Sequence, residues 1–267
     1  MESYKEKATK NSSSIKAEEC LGLPLTREDR VRYDRQILIH GFGEAGQKKL
    51  KRSSVLVVGA GGLGCAAAAY LIVAGIQNLT IIDCDKVELS NLNRQILHWQ
   101  SDIGKYKANS AAEKLRQMNP TVNITSYHNK ATCQTFRQVV KNYDVALDCL
   151  DNWPTRFALN KACVEAGVPM VHAGVRGFGG QVTTIKPRQG PCLRCIFPKT
   201  PKAERWPVLG AAPGMFGCLQ AIETIKLITG IGEPLIGRLL VYDGEAANFY
   251  MIKVKRSRTC SNCGRRK

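Results

Sequence analysis

Val55-Leu56-Val57-Val58-Gly59-Ala60-Gly61-Gly62-Leu63-Gly64 is the stretch whose reading decides the fold. Four apolar residues in a row are the mark of a strand buried on both faces. Gly59, Gly61 and Gly64 then fall at G-x-G-x-x-G spacing, with Gly62 as a fourth glycine. Glycine allows a tight turn and a close approach to phosphate oxygens, and a following helix start offers free N–H donors. Residues 63–75 are small and apolar, which predicts a helix able to lie close on a sheet and to end at Gly75. Leu79-Thr80-Ile81-Ile82-Asp83 predicts the next strand, and Asp83 ends it at the distance where a carboxylate can accept from ribose hydroxyls. The same fingerprint serves ATP and NAD(P), and glycines can also serve helix–strand packing alone. The turn by itself leaves these open.

Outward from the turn, strands and helices alternate. A helix is predicted from about Lys105 to Met118, stopped by Asn119-Pro120. Strand 122–127, helix 132–142, strand 145–150, helix 154–166 and strand 168–172 follow. This order predicts right-handed βαβ units, an α/β fold and a largely parallel sheet. After Gly179 the rhythm changes. A strand is predicted over 181–186, then a Pro/Cys-rich lobe over 187–212, a helix over 213–229 and a strand over 239–242. Residues 27–50 carry helical spacing. Residues 1–25 are polar and weakly patterned, and are expected to be a flexible extension. One domain is expected over 26–267, with a nucleotide-binding half at about 53–175 and a C-terminal half at about 176–267.

Hydrophobic content is 44% and charged content 23% over 267 residues, enough for a sizeable core. The longest apolar stretches are too short to span a bilayer, and no charged segment followed by an apolar one opens the chain. A cytoplasmic protein without membrane contact is expected. The net charge of +17 favours anionic partners such as nucleotides, acidic proteins or nucleic acid. Basic residues do not interleave with aromatics, so a single-strand nucleic-acid surface is not expected.

A second group of residues separates ATP from NAD(P). Ser90-Asn91-Leu92-Asn93-Arg94-Gln95 follows Asp83, Gly104-Lys105-Tyr106-Lys107 opens the next helix, and Asp148-Cys149-Leu150-Asp151-Asn152 ends a later strand. In an α/β sheet all three lie at the carboxyl edge, where ligands bind. Attack at an α-phosphorus gathers negative charge that Arg94 and Lys107 can stabilise, and Asp151 can hold a Mg²⁺ that bridges phosphates. A dehydrogenase needs a dry nicotinamide pocket with a proton donor, and the sequence offers no clear one. Singly, Lys107 reads as a solvated helix charge, Arg94 as a surface ion pair and Asp151 as a helix N-cap.

Eleven cysteines divide into scattered apolar ones and two pairs, Cys192-x-x-Cys195 and Cys260-x-x-Cys263. Two such knuckles predict a tetrahedral Cys₄ zinc site. With no open coordination position, that site is structural. The four histidines, His40, His98, His128 and His172, show no ligand spacing; His172, near the edge of strand 168–172, could line the pocket but reads first as a satisfied structural residue. Trp153 and Trp206 read as packing residues.

Taken in order, Arg32-Tyr33-Asp34-Arg35-Gln36, the glycine turn, Asp83-Cys84-Asp85 with residues 90–95, Gly104-Lys105-Tyr106-Lys107, residues 148–152 and the cysteine pairs resemble the adenylating enzymes of the MoeB/ThiF/HesA type, relatives of ubiquitin-activating E1 enzymes. The resemblance covers about residues 27–264. It implies a Rossmann-like, mostly parallel sheet with an antiparallel C-terminal extension and a Cys₄ zinc lobe. It also implies a homodimer that uses ATP and Mg²⁺ to adenylate the C-terminal glycine of a small ubiquitin-like sulfur carrier ending in Gly-Gly. Gly59, Gly61, Gly62, Gly64, Asp83, Asp85, Asn91, Arg94, Lys107, Asp151 and Asn152 would then form the nucleotide site. Asp83 would sit on the ribose, Arg94 and Lys107 on phosphates and Asp151 on Mg²⁺. Arg35 would reach the γ-phosphate from the partner subunit.

One departure from that pattern stands out. Many such enzymes carry a cysteine in the loop after the zinc knuckle. Here Pro198-Lys199-Thr200-Pro201-Lys202-Ala203-Glu204-Arg205-Trp206-Pro207-Val208-Leu209-Gly210 contains none. Cys218 comes later, where a helix start could lower a thiol's pKa, but its apolar surroundings favour a core residue. The expectation is an enzyme that stops at the acyl-adenylate. Two other functions remain compatible: activation of a carboxylate on a tRNA base, which the positive charge would suit, and a non-catalytic module that only holds nucleotide.

Overall fold

The structure, a computed structural model, describes residues 24–129, 132–201 and 206–264. The expected 1–25 extension falls almost wholly outside the described residues, as do residues 202–205 of the loop after the first cysteine pair. The chain divides into two compact units, 1–48 and 49–267. In the first lie α1 (Arg27–Arg32) and α2 (Asp34–Ile37), and α3 (Gly43–Arg52) spans the division. Thr26 starts α1 by a capping box. Its hydroxyl accepts from the Asp29 N–H at 3.0 Å, and the Asp29 carboxylate accepts from the Thr26 N–H at 2.8 Å.

The second unit is built on one sheet. Its elements in order are β1 (Ser54–Val58), α4 (Gly62–Val73), β2 (Asn78–Ile82), α5 (Lys107–Met118), β3 (Asn123–Tyr127), α6 (Cys133–Val139), β4 (Val145–Asp148), α7 (Trp153–Ala166), β5 (Met170–Arg176), β6 (Gly179–Ile185), α8 (Leu193–Ile196), α9 (Ala211–Thr229), β7 (Arg238–Asp243) and β8 (Asn248–Lys253). The strand order is β3-β2-β1-β4-β5-β6-β7-β8. The first five strands are parallel and the last three join antiparallel, as the change of rhythm after Gly179 predicts.

This order places the functional edge. β1 lies at the centre, with β2 on one side and β4 on the other. The chain leaves these neighbours in opposite directions, which opens a crevice at their carboxyl ends. Val55, Leu56, Val57 and Val58 are fully buried, consistent with a strand covered on both faces. The alanine run of α4, Ala66 to Ala69, is buried and brings that helix close to the sheet and to α9. β8 carries exposed Phe249, Tyr250, Met251 and Ile252 and has no counterpart in the sequence reading. Among the described residues no helix is long and apolar enough to cross a membrane.

Candidate active site

The glycines of the turn divide into two kinds. Gly59 sits at φ +101°, and a Cβ there would stand 2.5 Å from the Cys149 carbonyl oxygen. A Cβ on Gly64 would stand 1.8 Å from the carbonyl oxygen of Gly59. These two are required by the fold, because α4 must start against the ends of β1 and β4. Gly61 is different. The nearest atom to a Cβ there is Gln95 Nε2 at 3.8 Å, so its backbone faces open space. Gly62 lies between, hemmed by Pro213 at 2.9 Å. Gly59 and Gly64 thus make the turn possible, and Gly61 leaves its backbone open to the space beside it.

The open space belongs to a cavity of ≈ 1690 Å³ along the carboxyl edge. Typical small-molecule pockets hold roughly 300–1,000 Å³. This one has room for a nucleotide and a segment of polypeptide together. Gly59, Gly61, Gly62, Asp83, Asp85, Arg94, Lys107, Asp151 and Asn152 all line it, so the structure brings together most of the residues expected at one site.

Each polar group there has a local reason for its place. Asp83 follows β2, and its carboxylate accepts from the Ala60 N–H at 2.7 Å and the Asp85 N–H at 2.8 Å. Burial pushes its carboxyl up, against the pull of those two donors. Lys107 opens α5 and is 7% exposed, with Nζ 3.1 Å from Asp85 Oδ2. Asp85 is largely exposed, so this pair is a weak tether that an anion can displace. Arg94 spends Nη1 on the Ser90 carbonyl and Asn93 Oδ1, both at 2.9 Å. Asp151 is exposed beside the cavity, and Asn152 rather than Asp151 caps α7, through the Thr155 N–H at 3.0 Å. Asn91 is buried and does not line the cavity; its Oδ1 accepts from the Glu88 N–H at 3.0 Å. Arg35 is an exposed residue of α2, in the first unit.

A buried trio beneath the 148–152 loop was not legible in the sequence. Asp148 Oδ2 lies 2.7 Å from His172 Nδ1 and 3.3 Å from Arg156 Nη1. Arg156 also donates to the carbonyls of Ala173, at 2.6 Å, and Leu150. These bonds fix the loop that carries Asp151. Burial opposes ionisation of Asp148, but Arg156 and His172 outweigh it and hold its carboxyl below the usual range. Burial pushes the His172 imidazole down. His172 is only half satisfied: Nδ1 donates to Asp148, while Nε2 is buried without a partner among the described residues. The expectation of a satisfied structural histidine holds for one nitrogen. The signal that could have found Arg156 is a charged residue set next to Phe157 and one turn before the apolar Leu159, with Ala162 one turn further on.

The two cysteine pairs meet as the spacing predicts. Sγ of Cys192 is 3.6 Å from that of Cys260, and Sγ of Cys195 is 3.4 Å from that of Cys263. All four sulfurs lie within 4.8 Å of one another. Zinc bound at about 2.3 Å to each would hold sulfurs roughly 3.8 Å apart, so the set fits that metal. Backbone N–H groups of Ser257 and Asn262 point to Cys195 and Cys260, the outer support that thiolates need. Burial alone would raise the Cys260 thiol, but the N–H groups of Cys263 and Asn262 and the neighbouring sulfurs bring it down to about 7. Cys218 stands two turns inside α9, not at its start, and burial pushes its thiol up.

The model of the ThiF family matches residues 33–263. The chain belongs to the ThiF family. Among curated ThiF-type relatives, it is 43% identical over 247 residues to the adenylyltransferase and sulfurtransferase MOCS3 of Mus musculus, covering 90% of this chain and 54% of the relative. It is 45% identical over 246 residues to MOCS3 of Drosophila yakuba, again covering 90% of this chain and 54% of the relative. The chain thus spans about half the length of the curated relatives it matches. Among solved structures, that of E. coli MccB with ATP superposes with a TM-score of 0.80 at 24% identity, over 88% of this chain and 75% of the other. That likeness shows the fold.

Proposed function

We propose that this ThiF-family chain is an adenylyltransferase that activates the C-terminal glycine of a small ubiquitin-like sulfur carrier as an acyl-adenylate, releasing pyrophosphate. The observation that carries the reading is the single cavity in which Gly61, Arg94, Lys107 and Asp151 stand around space sufficient for ATP and an extended tail. The names of the relatives, adenylyltransferase and sulfurtransferase, support the first of those two activities for a chain spanning about half their length.

In this reading ATP lays its phosphates on the backbone of Gly61 and Gly62, with its ribose near Asp83. A narrow Gly-Gly tail brings its carboxylate to the α-phosphorus. That carboxylate is already ionised at neutral pH, so no protein base is required. Arg94 and Lys107 take up the charge that develops on the phosphates, and Lys107 releases Asp85 to do so. Asp151 is the residue that would hold Mg²⁺, which supplies neutralising charge between phosphates. Cys192, Cys195, Cys260 and Cys263 would hold zinc with all four positions taken, and the metal would tie residues 192–195 to 260–263. A partner's Arg35 completes the γ-phosphate site. The homodimer that this requires is supported by Leu89, Ile96 and Trp99, which are 67%, 61% and 54% exposed within one short segment.

The chemistry ends at the adenylate. No cysteine occupies residues 198–210. Arg176 instead stacks over Trp206 at 3.9 Å, and Gly177 bridges to Val208, which pins the loop beside the cavity. Incubating the chain with ATP, Mg²⁺ and a Gly-Gly-tailed carrier should yield AMP joined to the carrier, seen as a mass shift. No thiol-sensitive conjugate between enzyme and carrier should form. Such a conjugate, lost in Cys218→Ser, would refute the absence of a covalent step. Strong, salt-sensitive tRNA binding without carrier adenylation would favour the tRNA substrate instead.

A further inference from the structure

A chain of polar groups buried beneath the glycine turn has no part in the mechanism above. The Ala60 residue is fixed at both ends. Its N–H donates to Asp83 Oδ2 at 2.7 Å, and its carbonyl accepts from His98 Nε2 at 2.9 Å. A carbonyl can only accept, so Nε2 carries the imidazole proton. Nδ1 is then the lone-pair nitrogen, and Ser110 Oγ donates to it at 3.0 Å. Two other acceptors lie near that hydroxyl: the Leu97 carbonyl, farther away at 3.5 Å, and the Asp102 carboxylate, which already accepts from Lys114, Lys105 and the Trp99 N–H. Ser110 Oγ in turn accepts from Lys114 Nζ at 3.3 Å, and Lys114 is paired with Asp102. His98, Ser110, Lys114 and Asp102 are all buried. Burial holds the His98 imidazole below its usual range, which keeps the singly protonated form that this chain of bonds needs.

Every donor therefore points one way, from the Lys114 ammonium to the Ala60 carbonyl. That carbonyl shares a planar unit with the N–H of Gly61. No peptide among the described residues is cis, so the two groups point in opposite directions. Holding the carbonyl inward on His98 turns the Gly61 N–H outward, and Gly61 lines the cavity. Hydrogen bonds in a chain also polarise one another, so a cation at the head of the chain makes the N–H at its far end a stronger donor.

We propose that His98, backed by Ser110 and Lys114, is a positioning residue for the ATP phosphates: it sets the direction and strength of the Gly61 N–H as a phosphate donor. The proposal rests on the reading of the turn as an ATP site. It predicts an effect on phosphate recognition and none on adenosine.

The test compares dissociation constants for ATP and for adenosine in the full chain, measured by calorimetry or competition. Deleting a direct oxyanion donor costs about a hundredfold or more, so an indirect effect of about tenfold is expected for His98→Leu on ATP. Adenosine binding should stay within about twofold. His98→Gln, whose amide can donate to the Ala60 carbonyl, should recover most of the loss. Ser110→Ala should weaken ATP severalfold, and adding it to His98→Leu should cost nothing more, because the two act in one chain. Unchanged ATP affinity in His98→Leu, or a parallel loss for adenosine, overturns the proposal. If circular dichroism shows His98→Leu to be unfolded, Ser110→Ala decides, and unchanged ATP affinity there overturns it equally. A wild-type chain that binds no ATP overturns the ATP reading itself, a result distinct from any pattern among the variants.

Discussion

The nucleotide edge and the cysteine lobe are organised by opposite means. At the nucleotide edge, a backbone turn is held from behind by buried side chains. Asp83 and His98 hold the two ends of Ala60, while Arg156 grips the carbonyls of Leu150 and Ala173. Gly61 and Asp151 face the cavity, as does Lys107, which is held by Asp85. In the cysteine lobe a four-residue helix and a tail meet through four sulfurs and their backbone donors. The first region works because hydrogen bonds leave a few groups unspent. In the second, four sulfurs face one another and would all be spent on one metal ion.

The contrast can be broken most severely at the lobe. Structural zinc sites in small domains contribute about 10–16 kcal/mol of apparent binding energy. A strong chelator should remove one zinc per chain and lower the thermal midpoint by several degrees. Limited proteolysis should then cut near residues 192–195 or 256–264. A protein without zinc, or one indifferent to its removal, would show that the sulfurs do another job.

The next largest effect belongs to the edge. Asp151→Ala should reduce ATP–pyrophosphate exchange about a hundredfold or more, with the midpoint of thermal unfolding little changed, because the side chain is exposed. A loss of stability without loss of exchange would place Asp151 in the scaffold.

A smaller effect tests the support behind the turn. Burial opposes ionisation of Asp102, but Lys114, the Trp99 N–H and Lys105 outweigh it and hold its carboxyl below the ordinary value of 3.8. A depressed carboxyl contributes stability that is present above its unfolded pKa and lost as pH falls through the folded one. Urea unfolding should therefore show an acid limb that begins near pH 4 and continues below it. Asp102→Asn leaves the buried Lys114 with only the Glu113 carboxylate, at 3.7 Å, as its ionic partner. It should lower stability at pH 7 by about 3 kcal/mol and flatten that limb. Smallest of all is Asp85→Asn. Its carboxylate is largely exposed although Lys107 is buried, so the pair should be worth about 1 kcal/mol, measured as denaturant stability, with ATP affinity equal or slightly higher.

The parallel half was legible in the sequence because its signals are local. A run of four apolar residues, a glycine turn and a breaker at Asn119-Pro120 each declare themselves within a few positions. The predicted strand over 145–150 overran because Leu150 is apolar, although pairing with β1 stops at Asp148. β8 escaped notice because all six of its residues are exposed, so burial imposed no alternating pattern on them. In the site, residue types and spacing pointed to Asp83, Arg94, Lys107 and Asp151. They did not show that Asn152 caps α7 or that Asn91 serves the 88–91 turn, because a cap and a ligand use the same side-chain oxygen. The Asp148–Arg156–His172 trio was hidden for another reason. Its members come from β4, α7 and β5, and only the folded sheet brings them within hydrogen-bonding distance.

The central claim is that the edge carrying Gly61, Arg94, Lys107 and Asp151 adenylates a carboxylate. ATP–pyrophosphate exchange tests it most directly, using the full chain with Mg²⁺ and a carrier ending in Gly-Gly. The account predicts exchange that requires the intact tail and nearly vanishes in Lys107→Ala. Near-normal exchange in Lys107→Ala, or none in the wild type with any such carrier, would contradict it.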